Sequence, residues 1–396
     1  MGKIIVMGGS FNPPTIAHFK LIEAALEQLK EPEQSVRGIF VPSSHAYVSR
    51  KMGKLDDVCD KTVLAEQLRL EMLESFHLKD HRLHVDAREL GTENVHGHTV
   101  ETLQAIQKEN PEDDIYFIFG GDKLEGLPRW RYFDTLVRQF KIIIFSRDGI
   151  DPRVFINSNE VLSQHRDAFV FLKQPDGLDG ISSSAVRERI RRSERADELL
   201  TSDIYTMLLA NRHKKENTIL CFQGANYFLS NFYECEVFYG WPYGSTEAAF
   251  QAAKCESDDE KYEFIHLSPN AAKRKGRQVK LRSDWEQVKD GIMMEIVHEK
   301  FFQWEHLARK LMATGDAELI EGNTWNDRYW GVDLHAMQGQ NKLGKILMKV
   351  RDELNCIPPE KFQYMVRTSP YSDAWGNDEI MDRVSASWKK RKSKSQ

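Results

Sequence analysis

Residues 4–18 read Ile-Ile-Val-Met-Gly-Gly-Ser-Phe-Asn-Pro-Pro-Thr-Ile-Ala-His, an apolar strand that runs through a loop into a helix. In this glycine–proline loop, residues 8–15, two glycines let a ligand approach the backbone and two prolines restrict the chain before the helix. Thr15 is placed to cap the helix, whose free amides and positive dipole end attract anions. His18 lies one turn further along. The stretch therefore predicts a phosphate site.

The segments that follow alternate between short apolar strands and helical patterns. The predicted strands are residues 4–7, 38–41, 115–119 and 141–145, and the predicted helices include 63–74 and 100–108. In the first helix, one face is expected to be buried and consists of Ile22, Ala25, Leu26 and Leu29. This alternation predicts an α/β fold, a Rossmann-like doubly wound parallel sheet, with ligands at the carboxyl ends of its strands.

A second anion-binding pattern lies at residues 181–187, Ile-Ser-Ser-Ser-Ala-Val-Arg. The serines are placed to open a helix that carries Arg187 and Arg191 on one face. Hydroxyls, amides and a guanidinium would then converge on one anion. The alternative is a serine-capped basic helix without a ligand, which is common in proteins.

Together the patterns Gly-Ser-Phe-Asn-Pro-Pro-Thr-x-x-His and Ile-Ser-Ser-x-x-x-Arg resemble the nicotinamide/nicotinate mononucleotide adenylyltransferases, which are HIGH-type nucleotidyltransferases. The resemblance covers residues 1–214. Its further matches are Arg69-x-x-Met72, the Thr-x-x-Thr-Leu pattern from Thr99, Gly120-Gly121-Asp122 in place of Gly-Ala-Asp, and Trp130 at the position of an aromatic that stacks on the pyridine ring.

The resemblance implies that the phosphate of a pyridine mononucleotide attacks the α-phosphorus of ATP directly, giving NAD or its deamido form and pyrophosphate. Thr15 and His18 would bind the ATP phosphates, and Ser183 and Arg187 would hold the β and γ groups. Mg²⁺ would accompany ATP, and no permanently bound cofactor is implied.

The resemblance also implies the remaining nucleotide contacts. Asp122 would contact the adenylate ribose, and Thr99 and Trp130 the mononucleotide. Further binding residues would be Gly9, Ser10, Phe11 and Ser182. Thr15 stands where many bacterial members have histidine, and Ala17 where the His-x-Gly-His pattern has glycine, so nicotinamide and nicotinate mononucleotide both remain open. Another phosphate-bearing acceptor is a further alternative, against which Thr99 and Trp130 argue.

The length and composition of the chain predict two domains, at residues 1–214 and 218–355, with a tail at 357–396. A helix over 197–210 would precede the polar linker 211–217. No apolar stretch is long enough for a membrane span, and five scattered cysteines without a close pair favour reduced thiols. A cytoplasmic location is expected, or a nuclear one if the basic residues 389–394 act as an import signal rather than as a solvated tail.

Charge and metal-ligand patterns add little. A formal net charge of -5 gives no general nucleic-acid footprint, although the basic tail or modified bases leave a nucleic-acid partner open. His96 and His98 alone are a weak metal signal, and we expect loop histidines and no metal site. A homo-oligomer is also left open.

The second region is predicted to be a mainly helical α+β domain with short strands near residues 219–222 and 235–238. Residues 245–254, Ser-Thr-Glu-Ala-Ala-Phe-Gln-Ala-Ala-Lys, read as a capped helix with Glu247 and Lys254 on one face. A carboxylate and an ammonium group would then line one wall of a site. The alternative is a glutamate favoured by the helix dipole and a lysine that faces solvent.

Five further segments place polar groups beside aromatics and glycines, namely residues 229–232, 276–277, 281–285, 326–331 and 339–344. With the capped helix and in this order, they resemble the NADAR family of NAD- and ADP-ribose-linked proteins, which is related to riboflavin-intermediate N-glycosidases. The resemblance covers residues 219–354. One departure is Trp330-Gly331-Val332-Asp333, where many relatives have Trp-Gly-x-Gly, and it leaves the local loop shape open.

For NADAR members that are enzymes, the resemblance implies hydrolysis of an N-glycosidic bond between ribose and a base. The family's helix glutamate corresponds to Glu247, whose carboxylate could stabilise an oxocarbenium-like state or orient water. Asp327 would be the second carboxylate, and Lys254 would bind phosphate or steady Glu247.

The same resemblance implies that Asn231 holds ribose hydroxyls and that Trp285 or Trp330 stacks on a base, although single tryptophans are more often core residues. The expected substrate is an ADP-ribose conjugate of guanine, with a ribosylamino-pyrimidine phosphate as the alternative. The whole chain is predicted to be a bifunctional enzyme of NAD metabolism. The rival hypotheses are a non-catalytic ADP-ribose or NAD binding module and a deribosylating domain tethered to modified DNA.

Overall fold

The computed structural model describes residues 2–53, 62–92, 99–146, 151–358 and 361–362. The chain forms two compact units, the first ending at Met207 and the second beginning at Leu208. This division falls inside the helix Ser202–Arg212, so the predicted linker 211–217 is helical at its start. The predicted boundaries at 214 and 218 stay predictions. His96, His98 and the basic residues 389–394 lie outside the described residues.

The first unit is built on a six-stranded parallel sheet in the order β3-β2-β1-β4-β5-β6. The strands are β1 Lys3–Gly9, β2 Val36–Pro42, β3 Leu83–Val85, β4 Asp114–Ile118, β5 Lys141–Ser146 and β6 Phe169–Lys173. The order reverses between β1 and β4, which opens a crevice at the carboxyl ends of these two strands. The predicted Rossmann-like doubly wound fold is confirmed.

Eight helices are described in or at the end of this unit: α1 Ile16–Gln28, α2 His45–Gly53, α3 Glu66–His77, α4 Thr99–Glu109, α5 Phe133–Gln139, α6 Pro152–Ser158, α7 Ser183–Arg191 and α8 Ser202–Arg212. Two 3₁₀ helices lie at Gly121–Arg129 and Leu162–Ala168. Apolar side chains of the strands form a core with those of α4 and α5. The buried face predicted for α1 is found at Ile22, Ala25 and Leu26, whereas Leu29 is the partly exposed C-cap.

Several element boundaries differ from prediction. Helix α3 begins at Glu66 rather than at residue 63 because Ala65 is extended, with φ -54° and ψ 145°. Residues 197–201 were predicted helical but form a turn, in which the carbonyl of Leu199 accepts the backbone N–H of Ile16 at 3.0 Å. Strand β3 has only three residues, too few for a periodic pattern, and β3 and β6 were not predicted from sequence.

The second unit is mainly helical, as predicted. Its helices are α9 Thr246–Ala252, α10 Asp258–Tyr262, α11 Pro269–Gly276, α12 Trp285–Gln303, α13 Glu305–Met312 and α14 Lys342–Asn355. Its strands are β7 Thr218–Ile219, β8 Glu234–Tyr239, β9 Trp241–Ser245, β10 Glu318–Leu319, β11 Gly322–Asn323 and β12 Val332–Asp333. Strands β8 and β9 form an antiparallel hairpin, and β10 pairs with β7 and β11 with β12 in parallel.

The core of the second unit surrounds α12, whose Ile296 and Phe301 are fully buried. Helix α9 packs within this core, which places its first turn beside α11 and α12. In the described ranges, every helix is too short or too polar to cross a membrane.

Candidate active sites

The glycine–proline loop of the first unit is held by two buried side chains. Asn12 donates from Nδ2 to the carbonyl of Thr62 and accepts the N–H of Leu64 on Oδ1, both at 2.9 Å. The guanidinium of Arg69, which has no exposed surface, donates to the carbonyls of Ser10 and Ser43 at 2.8 Å. A buried arginine that satisfies two loop carbonyls restricts the loop before any ligand binds.

Thr15 and His18 bond to each other at the start of α1. The backbone N–H of Thr15 donates to Nδ1 of His18 at 2.9 Å, and the Thr15 hydroxyl lies 2.8 Å from the same nitrogen. A ring nitrogen that accepts a backbone N–H carries no proton, so the neutral His18 ring has its proton on Nε2. Burial, together with Lys123 and Lys51, lowers the pKa of His18 to about 4. His18 is therefore a neutral hydrogen-bond donor at physiological pH.

Helix α7 is joined directly to the glycine–proline loop. Ser182 caps it by accepting the N–H of Ala185 at 3.1 Å. The hydroxyl of Ser183 donates to the carbonyl of Pro13, and Arg187 donates to the carbonyl of Asn12, both at 2.7 Å. The two motifs that sequence placed at one site therefore meet.

Arg191, which was predicted to share an anion-facing side of α7 with Arg187, instead pairs with Glu188 at 2.7 Å. Its charge is therefore directed along its own helix. Arg187 is buried, with 8% of its surface exposed, whereas Arg191, one turn further along α7, is exposed to solvent.

Two lysines that sequence analysis missed stand beside His18. Lys51 on α2 donates to the hydroxyl of Ser10 at 3.2 Å, and its pKa is lowered by burial and by the charges of Lys123 and Arg187. Asp122 opposes this shift and is itself exposed. Lys123 directly follows the Gly-Gly-Asp motif and could have been included with it, whereas Lys51 has no such neighbour in sequence.

A cleft of about 610 Å³ opens at the carboxyl ends of β1 and β4, where the strand order reverses. Among the predicted residues, Gly9, Ser10, Thr99 and Trp130 line it. The Trp130 ring is held edge-on to Phe119, with centroids 5.1 Å apart. Two other predicted residues do not line the cleft: Thr15 is fully buried, and Phe11 packs edge-on against His18 with ring centroids 5.0 Å apart.

In the second unit, Glu247 lies in the first turn of α9. Ser245 caps this helix by accepting the N–H of Ala248 at 3.1 Å. The backbone N–H of Glu247 donates to the carbonyl of Asn231 at 2.9 Å, and Gln251 donates to its carboxylate at 2.8 Å. Glu247 is 6% exposed, and burial raises its pKa although Lys273, Gln251, Lys254 and Arg277 act in the opposite direction. The carboxyl group of Glu247 is therefore buried, and Lys254, the lysine that the alternative reading placed in solvent, is partly buried.

Lys254 lies near Glu247 but forms its described bonds elsewhere. Its ammonium group donates to the carbonyl of Gly276 at 3.3 Å and sits 5.9 Å from the centre of the Trp285 ring. Burial lowers the pKa of Lys254, and the charge of Glu247 partly restores it. Asn231 donates from its side chain to the sulfur of Met293 at 3.5 Å. The structure therefore brings Asn231, Glu247 and Lys254 into one region.

The two tryptophans predicted to stack on a base pack against Phe250. Trp285 is 6% exposed, and its ring centroid lies 5.1 Å from that of Phe250. The Trp330 ring meets Phe250 edge-on, with centroids 5.3 Å apart. Both rings therefore contribute to the core. Among the described residues of the second unit, Trp325 is exposed, with 48% of its surface accessible, and it was not among the predicted site residues.

Asp327 organises the loop between β11 and β12. Its Oδ1 accepts the backbone N–H groups of Tyr329 and Trp330 at 3.0 Å, and its own N–H donates to Asn323 at 2.9 Å. In the Trp-Gly-Val-Asp departure, Asp333 is buried and accepts the N–H of His335 at 3.1 Å. A side-chain carboxylate thus completes the turn where many relatives have glycine.

Three further charged residues of the second unit, Glu321, Lys273 and Lys300, were not predicted from the sequence. Glu321 follows β10, and its Oε2 is enclosed with no hydrogen-bond partner among the described residues. Lys300 is 1% exposed and donates to the carbonyl of Ser230 at 2.8 Å, and burial lowers its pKa to about 8. No recognisable motif marks these residues, since each lies in an otherwise ordinary segment.

The switch-point cleft and the glycine–proline loop beside it fit the Rossmann-like nucleotidyltransferase fold. Residues 6–189 match the cytidylyltransferase-like family model. The probable nicotinate-nucleotide adenylyltransferase of Carboxydothermus hydrogenoformans is 30% identical over 210 residues, which are 53% of this chain and 96% of that protein. Its counterpart from Clostridium acetobutylicum is 28% identical over 215 residues, or 54% and 98%. Through its first unit, the chain belongs to the nicotinate-nucleotide adenylyltransferase family.

Residues 216–355 match the NADAR domain model. The solution structure of Escherichia coli YbiA is 34% identical and covers 36% of this chain and 88% of YbiA, with a TM-score of 0.33. A Plasmodium falciparum nicotinic acid mononucleotide adenylyltransferase complexed with NaAD is 16% identical and covers 54% and 97%, with a TM-score of 0.40. The second unit is a NADAR domain, and both predicted resemblances are confirmed.

Proposed function

We propose that the first unit transfers the adenylyl group of MgATP to nicotinate mononucleotide and releases pyrophosphate. The observation that carries this proposal is the direct bonding of α7 to the glycine–proline loop. This bonding lies beside a cationic cluster of Lys51, Lys123 and Arg187 and a cleft that is lined by Trp130. The similarity to nicotinate-nucleotide adenylyltransferases over nearly their whole length supports it.

In the proposed reaction, a phosphate oxygen of the mononucleotide bonds to the α-phosphorus while the bond to the pyrophosphate group breaks. His18 donates from Nε2, and Lys51, Lys123 and Arg187 stabilise the charge that develops on the phosphate oxygens. Mg²⁺ enters as part of the MgATP substrate. Among the described residues, no group of three or more acidic, histidine or cysteine side chains is placed to hold a resident metal.

The charge of the cleft favours the acid over the amide. Four cationic side chains, Arg50, Lys51, Lys123 and Arg131, line the described part of the cleft together with the carboxylate of Glu89. A pyridine carboxylate entering this field is stabilised, whereas a neutral carboxamide gains little.

Product analysis by mass tests the reaction. The protein is incubated with MgATP and either nicotinate or nicotinamide mononucleotide, and we expect the acid dinucleotide to form with at least about tenfold higher kcat/KM. Arg131→Gln should lower the ratio of kcat/KM for nicotinate mononucleotide to kcat/KM for nicotinamide mononucleotide. Arg138→Gln on the exposed side of α5 should leave this ratio unchanged. Absence of both dinucleotides would contradict the proposed reaction, and a preference for the amide would contradict only the choice of acceptor.

For the second unit, we propose hydrolysis of the N-glycosidic bond of an ADP-ribose conjugate of guanine. Its support is the NADAR family match and the position of Glu247, a buried carboxyl group in the first turn of α9 with Asn231 and Lys254 nearby. A buried carboxylate can stabilise positive charge on ribose or orient water. A ribosylamino-pyrimidine phosphate is the second candidate substrate, since the same bond type is cleaved.

Glu247→Gln separates an enzyme from a binding module. Wild type and variant are given ADP-ribosylated guanosine, and guanosine release is followed by chromatography while ADP-ribose binding is measured by calorimetry. We expect release to fall at least about a hundredfold with binding retained. Equal release by both proteins would refute the role of Glu247. Binding of ADP-ribose with no release by the wild type would favour the binding module.

A further inference from the structure

We infer that Glu321 is a catalytic residue of the second unit, the group that holds a proton and delivers it to the departing base nitrogen. This inference rests on the N-glycosidase activity proposed above. It replaces Asp327 as the partner carboxyl of Glu247, because both described bonds of the Asp327 carboxylate go to backbone N–H groups of its own loop.

The carboxyl group and the backbone of Glu321 have different surroundings. The residue is only partly buried, yet its Oε2 is fully enclosed and has no hydrogen-bond partner among the described residues. Its backbone is fixed, since its N–H donates to Asn341 at 3.0 Å and its carbonyl accepts the N–H of Val332 at 2.9 Å. An enclosed oxygen without a partner costs free energy unless it is protonated or meets a ligand.

Charged groups from four segments of the second unit act electrostatically on this carboxyl. Asp327 on the following loop and Glu247 on α9 are negative, and Lys273 on α11 and Lys300 on α12 are positive. Burial is the largest influence and, with the two carboxylates, raises the pKa of Glu321 to about 8. Two carboxyl groups in one buried site cannot both ionise readily.

The hydrogen-bond donors and charges around the two carboxyl groups indicate that Glu321, rather than Glu247, holds the proton. Burial raises the pKa of Glu247 as well, but Glu247 accepts a hydrogen bond from Gln251, which favours its ionised form. The positive charges of Lys273, Lys254 and Arg277 act in the same direction as Gln251. Among the described residues, the enclosed Oε2 of Glu321 has no such donor. The pair therefore provides one proton donor and one carboxylate, as acid-assisted hydrolysis of a glycoside requires.

In the proposed hydrolysis, the C1–N bond of the ribosyl group breaks, and the departing nitrogen takes its proton from Glu321. Water bonds to C1 and gives its proton to the carboxylate of Glu247. The two carboxyl groups return to their starting states when one proton is lost from Glu247 and one is gained by Glu321, so no other reactant is needed.

Glu321→Gln tests the assignment, with Glu318→Gln on the exposed end of β10 as the matched control. On ADP-ribosylated guanosine, we expect kcat to fall at least about a hundredfold in Glu321→Gln. Wild type should lose activity above about pH 8 because the donor loses its proton. The control should keep both the wild-type rate and this alkaline limb. A Glu321→Gln variant with the wild-type rate and alkaline limb would overturn the inference.

A second readout does not depend on turnover. At neutral pH, the infrared C=O stretch of a protonated carboxyl group should be present in wild type and in Glu247→Gln and should disappear in Glu321→Gln. Its persistence in Glu321→Gln would overturn the assignment. If wild type releases no guanosine but shows the Glu321 band, the proposed N-glycosidase function fails while the proton assignment stands.

Discussion

At the scale of single residues, the geometry of Thr15 changes its expected role. Sequence analysis placed Thr15 on the phosphates, but it is fully buried and its hydroxyl lies 2.8 Å from Nδ1 of His18. Thr15 is therefore positioned to orient His18 and to fix its proton on Nε2. Ala17, the other departure from the family pattern, is also buried and has no part in this bond.

Thr15→Val removes the hydroxyl with little change of shape. Loss of one hydrogen bond that orients His18, about 1–1.5 kcal/mol, should lower kcat for adenylyl transfer roughly tenfold. Thr15→Ser keeps the hydroxyl and should remain near the wild-type rate. Initial rates of pyrophosphate release at saturating substrates check this prediction, and equal rates for the valine and serine variants would contradict it.

His18 should also make stability depend on pH. Its pKa is about 4 in the folded protein against an ordinary 6.5, so the unfolded chain binds more protons between these values. Its contribution is complete above 6.5 and is lost as the pH falls towards 4. Urea unfolding from about pH 7.5 to about pH 5 should show about 1–2 kcal/mol more loss in wild type than in His18→Gln. Parallel losses in both proteins would show that His18 does not titrate as described.

At the scale of elements, α7 and the glycine–proline loop behave as one structure because Arg187 bonds to the carbonyl of Asn12. Arg187→Met should leave that carbonyl unpaired, lower the free energy of unfolding by about 1–3 kcal/mol and raise KM for ATP. Arg191→Met, one turn away at an exposed position that pairs with Glu188, should change both quantities little. Chemical denaturation measures the free energy of unfolding of the two variants, and initial rates at varied ATP concentration give KM. Similar effects in both variants would refute the proposal that Arg187 joins α7 to the glycine–proline loop.

Helices α11 and α9 approach closely at Gly276. A β-carbon built there overlaps the side-chain amide of Gln251, the residue that donates to Glu247. Gly276→Ala should therefore displace Gln251 and slow guanosine release by roughly tenfold while the fold persists. Gly291→Ala on α12 meets no atom within 4 Å and should keep the rate and raise stability by up to about 1 kcal/mol. Unchanged release in Gly276→Ala would argue against the Gln251–Glu247 bond.

At the scale of the whole molecule, each unit has its own hydrophobic core, one around the parallel sheet and one around α12. A substitution in one site should therefore leave the other reaction intact. His18→Ala should abolish dinucleotide formation without changing guanosine release, and Glu247→Gln should do the reverse. Both rates are measured on the same full-length preparations. A drop of both activities in either variant would indicate coupling between the sites.

Site residues could be predicted where their partners are close in the sequence, and they were missed where they come from distant segments of the chain. The partners Thr15 and His18 lie within one helical turn, and Ser182 directly precedes the helix that it caps, so local patterns identified them. Lys51 and Lys123 approach His18 from α2 and from the segment after β4, and neither belongs to the quoted patterns. Asp327 looked chemically suitable in sequence, but its described bonds show a loop-forming role.

The sequence by itself determined the alternation of strands and helices, the cap residues and the two family resemblances, because these depend on neighbours within a few residues. Only the tertiary structure decided that Arg187 reaches Asn12, that Trp285 and Trp330 pack against Phe250, and that Glu321 is enclosed beside Glu247. Burial and charge at a site arise from segments that are far apart in the chain. A carboxyl group's environment, and hence its chemistry, is set only when those segments pack together.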